Sequence, residues 1–307
     1  MSSEDILAQV ALAAAKIERI KPESQLVDAM DGDARREIKV HNHGFIALVD
    51  VMPRQIPEGK TSDAAIVQAA RTSYGQGTKK QTEDHGLIRF LMRHRHTTPV
   101  EMVEFKFHMR MPIFIARQWI RHRTANVNEY SGRYSVMPDL FFRPERETIA
   151  MQSKSNRQGR AEPVSDELAA EVYELLDAAE ALYGKYKALE EAGVSREIIR
   201  IALPLSLYTE WYWKCDLHNI FHFLGLRMDP HAQQEIRDYA NAMFALIQPI
   251  VPVAAQAFLN YQLDSMQLSQ LEVEALANGE PLNSRNSREQ DEWAAKRVAL
   301  GLDEPNE

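Results

Sequence analysis

The chain has 307 residues, 45% hydrophobic and 26% charged, and its 36 basic against 44 acidic residues leave a net charge of −8. This is a globular composition with ample material for a core, and its acidic balance argues against a general nucleic-acid binder. The single cysteine, Cys215, excludes an internal disulfide framework and a Cys-based zinc site. No apolar run reaches the ~20 residues of a membrane-spanning helix. The opening Met1-Ser2-Ser3-Glu4-Asp5 lacks the basic start of a secretory signal, so a cytoplasmic location with no membrane contact is expected.

Residues 1–40 are rich in Ala and charge, and the pattern predicts one amphipathic helix around Ile6–Ile17. The apolar stretch Phe45–Val51, ending at Met52-Pro53, predicts a strand. Thr61-Ser62-Asp63 is placed to cap a helix running to about Arg71. Thr82 is placed to cap another from Glu83 to about His94, with Leu87, Ile88, Leu91 and Met92 as its apolar stripe. Val103–Met111 is the clearest strand. Val103, Phe105, Phe107, Met109 and Met111 alternate with Glu104, Lys106, His108 and Arg110, the period of an antiparallel sheet with one solvated face. Pro112 then suits the first turn of a helix from Ile113 to about His122.

The polar stretch Gln152–Val164, with Gly159 and Pro163, reads as a loop between two halves. Ser165 opens a long helix on which Leu168, Val172, Leu175, Ala179, Leu182, Tyr186 and Leu189 step by four and three along one apolar seam. Further helices are predicted near Arg196–Ala202, Tyr208–Leu226 and His231–Ile247, the last with Asp229 as cap and Pro230 in its first turn. From about Gly279 the chain is polar and reads as a loosely packed tail. Early strands and later helices predict an α+β fold, an antiparallel sheet flanked by helices.

The most informative stretch lies between Arg110 and Arg146. It holds seven Arg, no Lys and three acids, a local +4 that leaves −12 for the rest of the chain. Guanidinium groups without lysines point to two-pronged recognition of phosphate or carboxylate; an Arg-rich solvated face is the plainer alternative. On the predicted helix Gln118 shares a face with Arg121 and His122. Asn126, Asn128, Glu129, Ser131 and Arg133 follow, with Gly132 permitting a tight turn. Donors and acceptors alternate there as a pocket for a polar, phosphorylated ligand requires.

Arg121-His122-Arg123, followed after seven residues by Ser131, resembles the signature of the flavin-dependent thymidylate synthases. Asn128-Glu129-x-Ser131-Gly132-Arg133-Tyr134 and Pro112-Ile113-Phe114-x-Ala116-Arg117-Gln118-Trp119 also resemble that family. So do Ala70-Arg71-Thr72-Ser73-Tyr74-Gly75, His96-Thr97-Thr98-Pro99-Val100-Glu101, Arg200-Ile201-Ala202-Leu203-Pro204-Leu205 and the run from Leu226-Arg227-Met228-Asp229 through His231-Ala232-Gln233-x-Glu235-Ile236. The resemblance covers about residues 44–262. It implies an N-terminal extension over 1–42, a catalytic domain over 43–265 and a helical or flexible extension over 266–307.

The resemblance further implies reductive methylation of dUMP to dTMP. Methylene-tetrahydrofolate would donate the carbon, NADPH-reduced FAD would carry the hydride, and tetrahydrofolate would leave. A homotetramer with active sites at subunit junctions is implied as well. Gln118, Trp119, Ile120, Arg121, Glu129, Tyr130, Ser131, Gly132, Arg133, Arg200 and Arg227 would line the dUMP site. Ser73, Thr98, Glu101, Arg121, His122, Arg123, Glu129, Asp216, Leu217, His218 and His222 would contact FAD. Arg227 would be catalytic, stabilising charge as uracil N3 loses its proton; pairing with Asp229 or Glu235 is the structural alternative. The chain departs from the family pattern at Asp216 and His218, where Asn and Arg are frequent, and at Asn126, where Ser is common.

Several residues admit a second chemistry. Ser131 sits where a nucleophile could stand, but no His–Asp pair is apparent to activate it, so it reads as a hydrogen-bonding group. His218 and His222 have a metal-ligand spacing, yet Asn219 occupies the place of the glutamate in His-Glu-x-x-His; no metal is expected. Cys215, placed mid-helix among Trp211, Trp213 and Leu217, reads as a buried thiol with no enzyme nucleophile implied. No Gly-x-Gly-x-x-Gly occurs, so side chains would take the place of a glycine loop. Two rivals remain open at this point: a nucleotide- or RNA-binding regulator using the Arg cluster, and a histidine-based metallohydrolase.

Overall fold

The structure is a computed structural model that describes residues 25–28, 34–54, 58–73, 84–153 and 159–303. The helix predicted around Ile6–Ile17 and the Thr82 cap lie outside the described residues. The chain divides into two compact units, Lys21–Phe258 and a second made of Met1–Ile20 with Leu259–Glu307.

The first unit is built on a six-stranded, wholly antiparallel sheet. Its strands are β1 (Gln25–Asp28), β2 (Ala34–Val40), β3 (Gly44–Met52), β4 (Glu104–Pro112), β5 (Asn126–Glu129) and β8 (Tyr208–Asp216), in the order β1-β2-β3-β4-β8-β5. The alternation read in β4 is realised, since Val103, Phe105, Phe107, Met109 and Met111 are all fully buried. Its other face is less wet than expected. His108 is buried, donates to Glu210 Oε1 at 2.6 Å and stacks on Tyr212, while Arg110 donates to the same carboxylate at 2.8 Å.

The segment predicted as a helix over Tyr208–Leu226 is two elements. Tyr208–Asp216 is strand β8, at the centre of the sheet between β4 and β5, and α6 (Leu217–Arg227) follows it directly. Trp211, Trp213 and Cys215 face the core while Glu210, Tyr212 and Lys214 do not. That period of two, in aromatic and β-branched residues, favours a strand. Asp216 marks the switch: its Oδ1 accepts from the Asn219 N–H at 3.0 Å, capping α6. Cys215 is therefore a strand residue.

Helices cover the sheet. They are α1 (Asp63–Thr72), α2 (Asp84–Arg93), α3 (Ile113–Trp119), α4 (Asp166–Glu191), α5 (Arg196–Ile199), α7 (Gln234–Ile247) and α8 (Pro252–Phe258). The stripe Leu87, Ile88, Leu91 and Met92 is buried, as predicted. Ser62 flanks α1 but does not cap it. The neighbouring Asp63 turns inward instead and accepts from the N–H groups of Val253 (2.8 Å) and Ala254 (3.1 Å), at the start of α8. The helix after Pro112 ends at Trp119, three residues early, because tight turns to the carbonyls of Gln118 and Trp119 lead the chain toward pairing with β8. Gln118, Arg121 and His122 thus do not share a helix face, and Asn126–Glu129 is an edge strand where a polar run was read. Gln233 stands at the N-cap position of α7 without a side-chain bond to the helix; Asp229 and Pro230 lie in the turn before it.

The predicted loop Gln152–Val164 contains half of a hairpin, β6 (Ala150–Gln152) with β7 (Arg160–Pro163). Ser165 caps α4 as expected, its Oγ accepting from Leu168 N–H. The apolar seam of α4 is only partly used. Tyr183 and Tyr186 pack with Met137, Phe141, Ile199 and Leu207, while Leu168, Leu175, Leu182 and Leu189 stay exposed, Leu175 by 69%.

In the second unit α9 (Gln270–Asn278) starts on a Ser269–Glu272 capping box and ends on Gly279 at φ 68°. The region read as a loose tail holds α10 (Ser287–Ala299), anchored by buried Trp293 and by Lys296, which donates to Glu272 at 2.8 Å. Only one aromatic marks its packed side, too faint a signal for a periodic reading.

Candidate active site

Residues from the Arg121-His122-Arg123 signature and from the end of α6 meet in space. Arg227, in the last turn of α6, donates from Nε to His122 Nε2 at 3.1 Å. That bond requires a bare Nε2, and the surroundings keep it so. Burial, then the Arg227 charge, then His222 pull the His122 pKa down to about 4. The His122 ring also lies edge-on to Phe223 at 4.9 Å and 6.1 Å from His222. Burial lowers the Arg227 pKa from its usual value, and a guanidinium remains charged. Asp229, the structural alternative as partner, bonds instead to His231, and Glu235 to Arg160. Arg121 and Arg123 are exposed and make no ion pair among the described residues.

A second group lies along β8. Glu129 Oε1 accepts from Thr209 Oγ at 2.7 Å, whereas Thr124 O, just after the signature, accepts from Cys215 Sγ at 3.1 Å. Thr209 and Cys215 are ~20 Å apart along the strand at its usual rise. Beyond Glu129 the chain turns at Ser131, whose carbonyl accepts from the N–H groups of Tyr134 and Ser135. Gly132 is buried in this turn: a Cβ there would lie 2.9 Å from Met137 Sδ and 3.4 Å from Arg200 Cδ. Gly132, Arg133 and Arg200 are thus neighbours, with Arg133 3.4 Å from Glu197. Tyr130 is exposed, and its hydroxyl donates to Val136 O.

The remaining expected residues divide by burial. Ser73 sits at the C-cap of α1; the 3-10 turn Val100–Met102, bearing Glu101 and preceded by exposed Thr98, packs against both α1 and α6. His218 and His222 are on α6, as predicted, half-buried and exposed. Among the described residues no group of three His, Cys, Asp or Glu could hold a metal. Trp119 and Leu217 are fully buried; Trp119 stacks on Phe223 at 4.2 Å. Their side chains belong to the core, and only their backbone could reach a ligand. Ile120 is exposed. The Asp216 carboxylate is engaged by the Asn219 N–H and side-chain amide.

Two polar residues quoted in the α7 motif had no role assigned from sequence. Gln118 Nε2 donates to Gln233 Oε1, and Gln233 Nε2 donates to Glu235 Oε2 at 2.8 Å. Arg160 donates to the other oxygen of Glu235. Burial pushes the Glu235 carboxyl up, but the Arg160 and Gln233 bonds outweigh it and hold the group below the usual range. Gln233, Glu235 and Arg160 line a cavity of about 730 Å³ that also touches His41, Arg143 and His231. The signal that could have found them was the crowding of Gln233 and Glu235 next to an apolar helix face.

The family described as thymidylate synthase complementing protein matches residues 51–253. The chain belongs to the flavin-dependent thymidylate synthases. A flavin-dependent thymidylate synthase of Dictyostelium discoideum is 60% identical over 284 residues, covering 92% of this chain and 94% of its own. One from Gluconobacter oxydans (strain 621H) is 47% identical over 298 residues, covering 92% and 95%. Among solved structures, the UMP/dUMP methylase PolB from Streptomyces cacaoi bound with 5-Br dUMP aligns with a TM-score of 0.63 at 31% identity, over 74% of this chain and 99% of that one. The expected α+β fold is thus the fold of a nucleotide methylase, and both rival readings give way to the flavin-dependent thymidylate synthases. No described helix is long and apolar enough to cross a membrane.

Proposed function

We propose that this flavin-dependent thymidylate synthase methylates dUMP to dTMP, taking the carbon from methylene-tetrahydrofolate and releasing tetrahydrofolate, with NADPH as reductant and FAD as hydride carrier. The observation that carries the reading is the bond from Arg227 Nε to His122 Nε2. It takes up one edge of the guanidinium and leaves its two terminal nitrogens to face a ligand.

The residues present fit FAD by their donor chemistry. Arg121 and Arg123 offer exposed guanidinium groups to a diphosphate, and His122 and His222, their rings 6.1 Å apart, offer imidazoles with buried Phe223 behind His122. His218, Ser73, Thr98 and Glu101 are the further contacts proposed. When bound, FAD supplies the redox step that no side chain can. Phosphate of dUMP falls to Arg133, Arg200 and the turn at Ser131–Gly132, where the absence of a Cβ lets Met137 and Arg200 pack close against the turn.

Arg227 then stabilises negative charge on the uracil as N3 gives up its proton, which makes the methyl-accepting carbon electron-rich. His122, neutral at physiological pH, fixes the angle of that guanidinium. No thiolate takes part: Cys215 is buried, donates to Thr124 O, and is pushed far above the ordinary thiol range by burial and by Asp216 and Glu104.

Glu129 bonds Thr209 near one end of β8 while Thr124, next to the signature, bonds Cys215 near the other, and a signature so spread suits a site completed by a second chain. The exposed leucines of α4 offer an apolar face for such assembly, which supports a homotetramer. Residues 43–265 would form the catalytic part in the cytoplasm, with 1–42 and 266–307 as extensions. The test is dTMP formation from dUMP, NADPH and methylene-tetrahydrofolate. Turnover that depends on added or bound FAD is expected; a folded, flavin-loaded protein without dTMP product would overturn the reading.

A further inference from the structure

We propose that Gln233 and Glu235 are positioning residues that set which way round the Gln118 amide faces, so that Gln118 presents its carbonyl oxygen to an N–H or O–H donor of the bound nucleotide. The proposal rests on the dUMP reading above. A glutamine amide has an accepting end and a donating end, and nothing intrinsic decides between them. Here the decision is made at Glu235, which is 3% exposed. An ionised carboxylate only accepts, and Arg160 holds one of its oxygens. Gln233 must therefore turn its NH2 toward Glu235, as it does at 2.8 Å. Its oxygen is then aimed at Gln118, which answers with its own NH2. Gln118 Oε1 is left over, and no described residue donates to it.

The chain of bonds also ties three elements. Arg160 belongs to hairpin strand β7, Glu235 to α7, Gln233 to its cap and Gln118 to α3. A purely structural tie would hold these elements whichever way the amides faced. A polarity relay would not, and this difference can be measured.

Three full-length, FAD-loaded variants make the test: Glu235→Gln, Gln118→Glu and the two combined. In Glu235→Gln the new amide can donate to Gln233, so Gln233 turns its NH2 toward position 118 and forces Gln118 to face outward with NH2. In Gln118→Glu alone the new carboxylate meets the Gln233 oxygen. In the combined variant the carboxylate at 118 accepts from the reversed Gln233 and keeps one oxygen outward. Each single variant is expected to weaken dUMP binding about tenfold, measured by titration calorimetry, and to lower the midpoint of thermal unfolding measured without nucleotide. The combined variant is expected to bind within about threefold of the parent and to unfold at a higher midpoint than Gln118→Glu alone, the loss of the Arg160 ion pair remaining in it as in Glu235→Gln. If one single variant fails to fold while the combined variant folds, the relay is supported in the same sense. Losses that add in the combined variant, or single variants that bind dUMP like the parent, overturn the proposal. If the parent itself binds no dUMP, a combined variant that unfolds at a higher midpoint than Gln118→Glu alone would sustain the relay and overturn the substrate reading instead.

Discussion

Arg227 reaches back from the end of α6 to donate to His122 Nε2 at 3.1 Å, joining residues 105 positions apart. One guanidinium is thereby held by a neutral imidazole and not by a carboxylate. A carboxylate would neutralise the guanidinium charge; a neutral imidazole orients it and leaves it intact.

Arg227→Ala is expected to retain FAD, read from the flavin absorbance of the purified protein, and to lose ~10²–10³-fold in turnover, the scale of removing one electrostatic donor. Arg227→Lys should restore little, since an ammonium offers no planar fork. Full turnover in Arg227→Ala would remove the residue from the mechanism.

The His122 environment sets a pH dependence whose sign is fixed. Its pKa falls from 6.5 to about 4 on folding, chiefly through burial. Between those values the unfolded chain binds a proton that the folded chain refuses, so stability rises with pH there. The contribution is whole above about pH 6.5 and is lost as pH falls toward 4. In His122→Gln the thermal midpoint should change less over this window than in the parent; parallel midpoint curves would contradict the assigned shift.

Cys215→Ala is expected to keep turnover within about twofold, because the thiol is sealed against Thr124 O and stays protonated. A lower thermal midpoint is expected, by the ~1 kcal/mol scale of a small buried group. Loss of dTMP formation in a folded, flavin-loaded Cys215→Ala would reopen a thiolate route.

Asp63→Ala should be destabilising without touching the site. Its carboxylate accepts from the Val253 and Ala254 N–H groups, and removing such a cap costs about 1–2 kcal/mol. Denaturant unfolding would measure it. Asp63→Asn, which keeps one acceptor, should fall between parent and Asp63→Ala.

If assembly completes the site, Leu175→Glu with Leu182→Glu should shift the protein to smaller species in sedimentation and lower dTMP formation together. An unchanged sedimentation profile would take the α4 seam out of the interface.

What could be read in advance follows from where the physical signal lies. β4 and α4 were legible because each keeps one period from end to end, and β3 because Phe45–Val51 is an apolar run closed by Met52-Pro53. β8 and α6 were fused into one helix because Tyr208–Asp216 is so aromatic that both periods fit it, and the switch at Asp216 is a single capping residue. The α4 seam was legible as a pattern, but a pattern does not say whether its partner is the same chain. Trp119 was expected to line the dUMP site, yet its indole packs on Phe223; resemblance carries positions, not side-chain directions. The Gln118–Gln233–Glu235–Arg160 chain stayed hidden because it joins residues 115, 2 and 75 positions apart.

The tie between Asp63 and the start of α8 spans 190 residues of chain. Loop closure over such a span is slow and comes late. During synthesis Asp63 leaves the ribosome long before Val253 does, so α1 must wait without its partner while the sheet strands accumulate. The unit Lys21–Phe258 consequently cannot reach its finished state until nearly all of its own residues have emerged, and any truncation ahead of Pro252 removes both N–H donors from which the Asp63 carboxylate accepts.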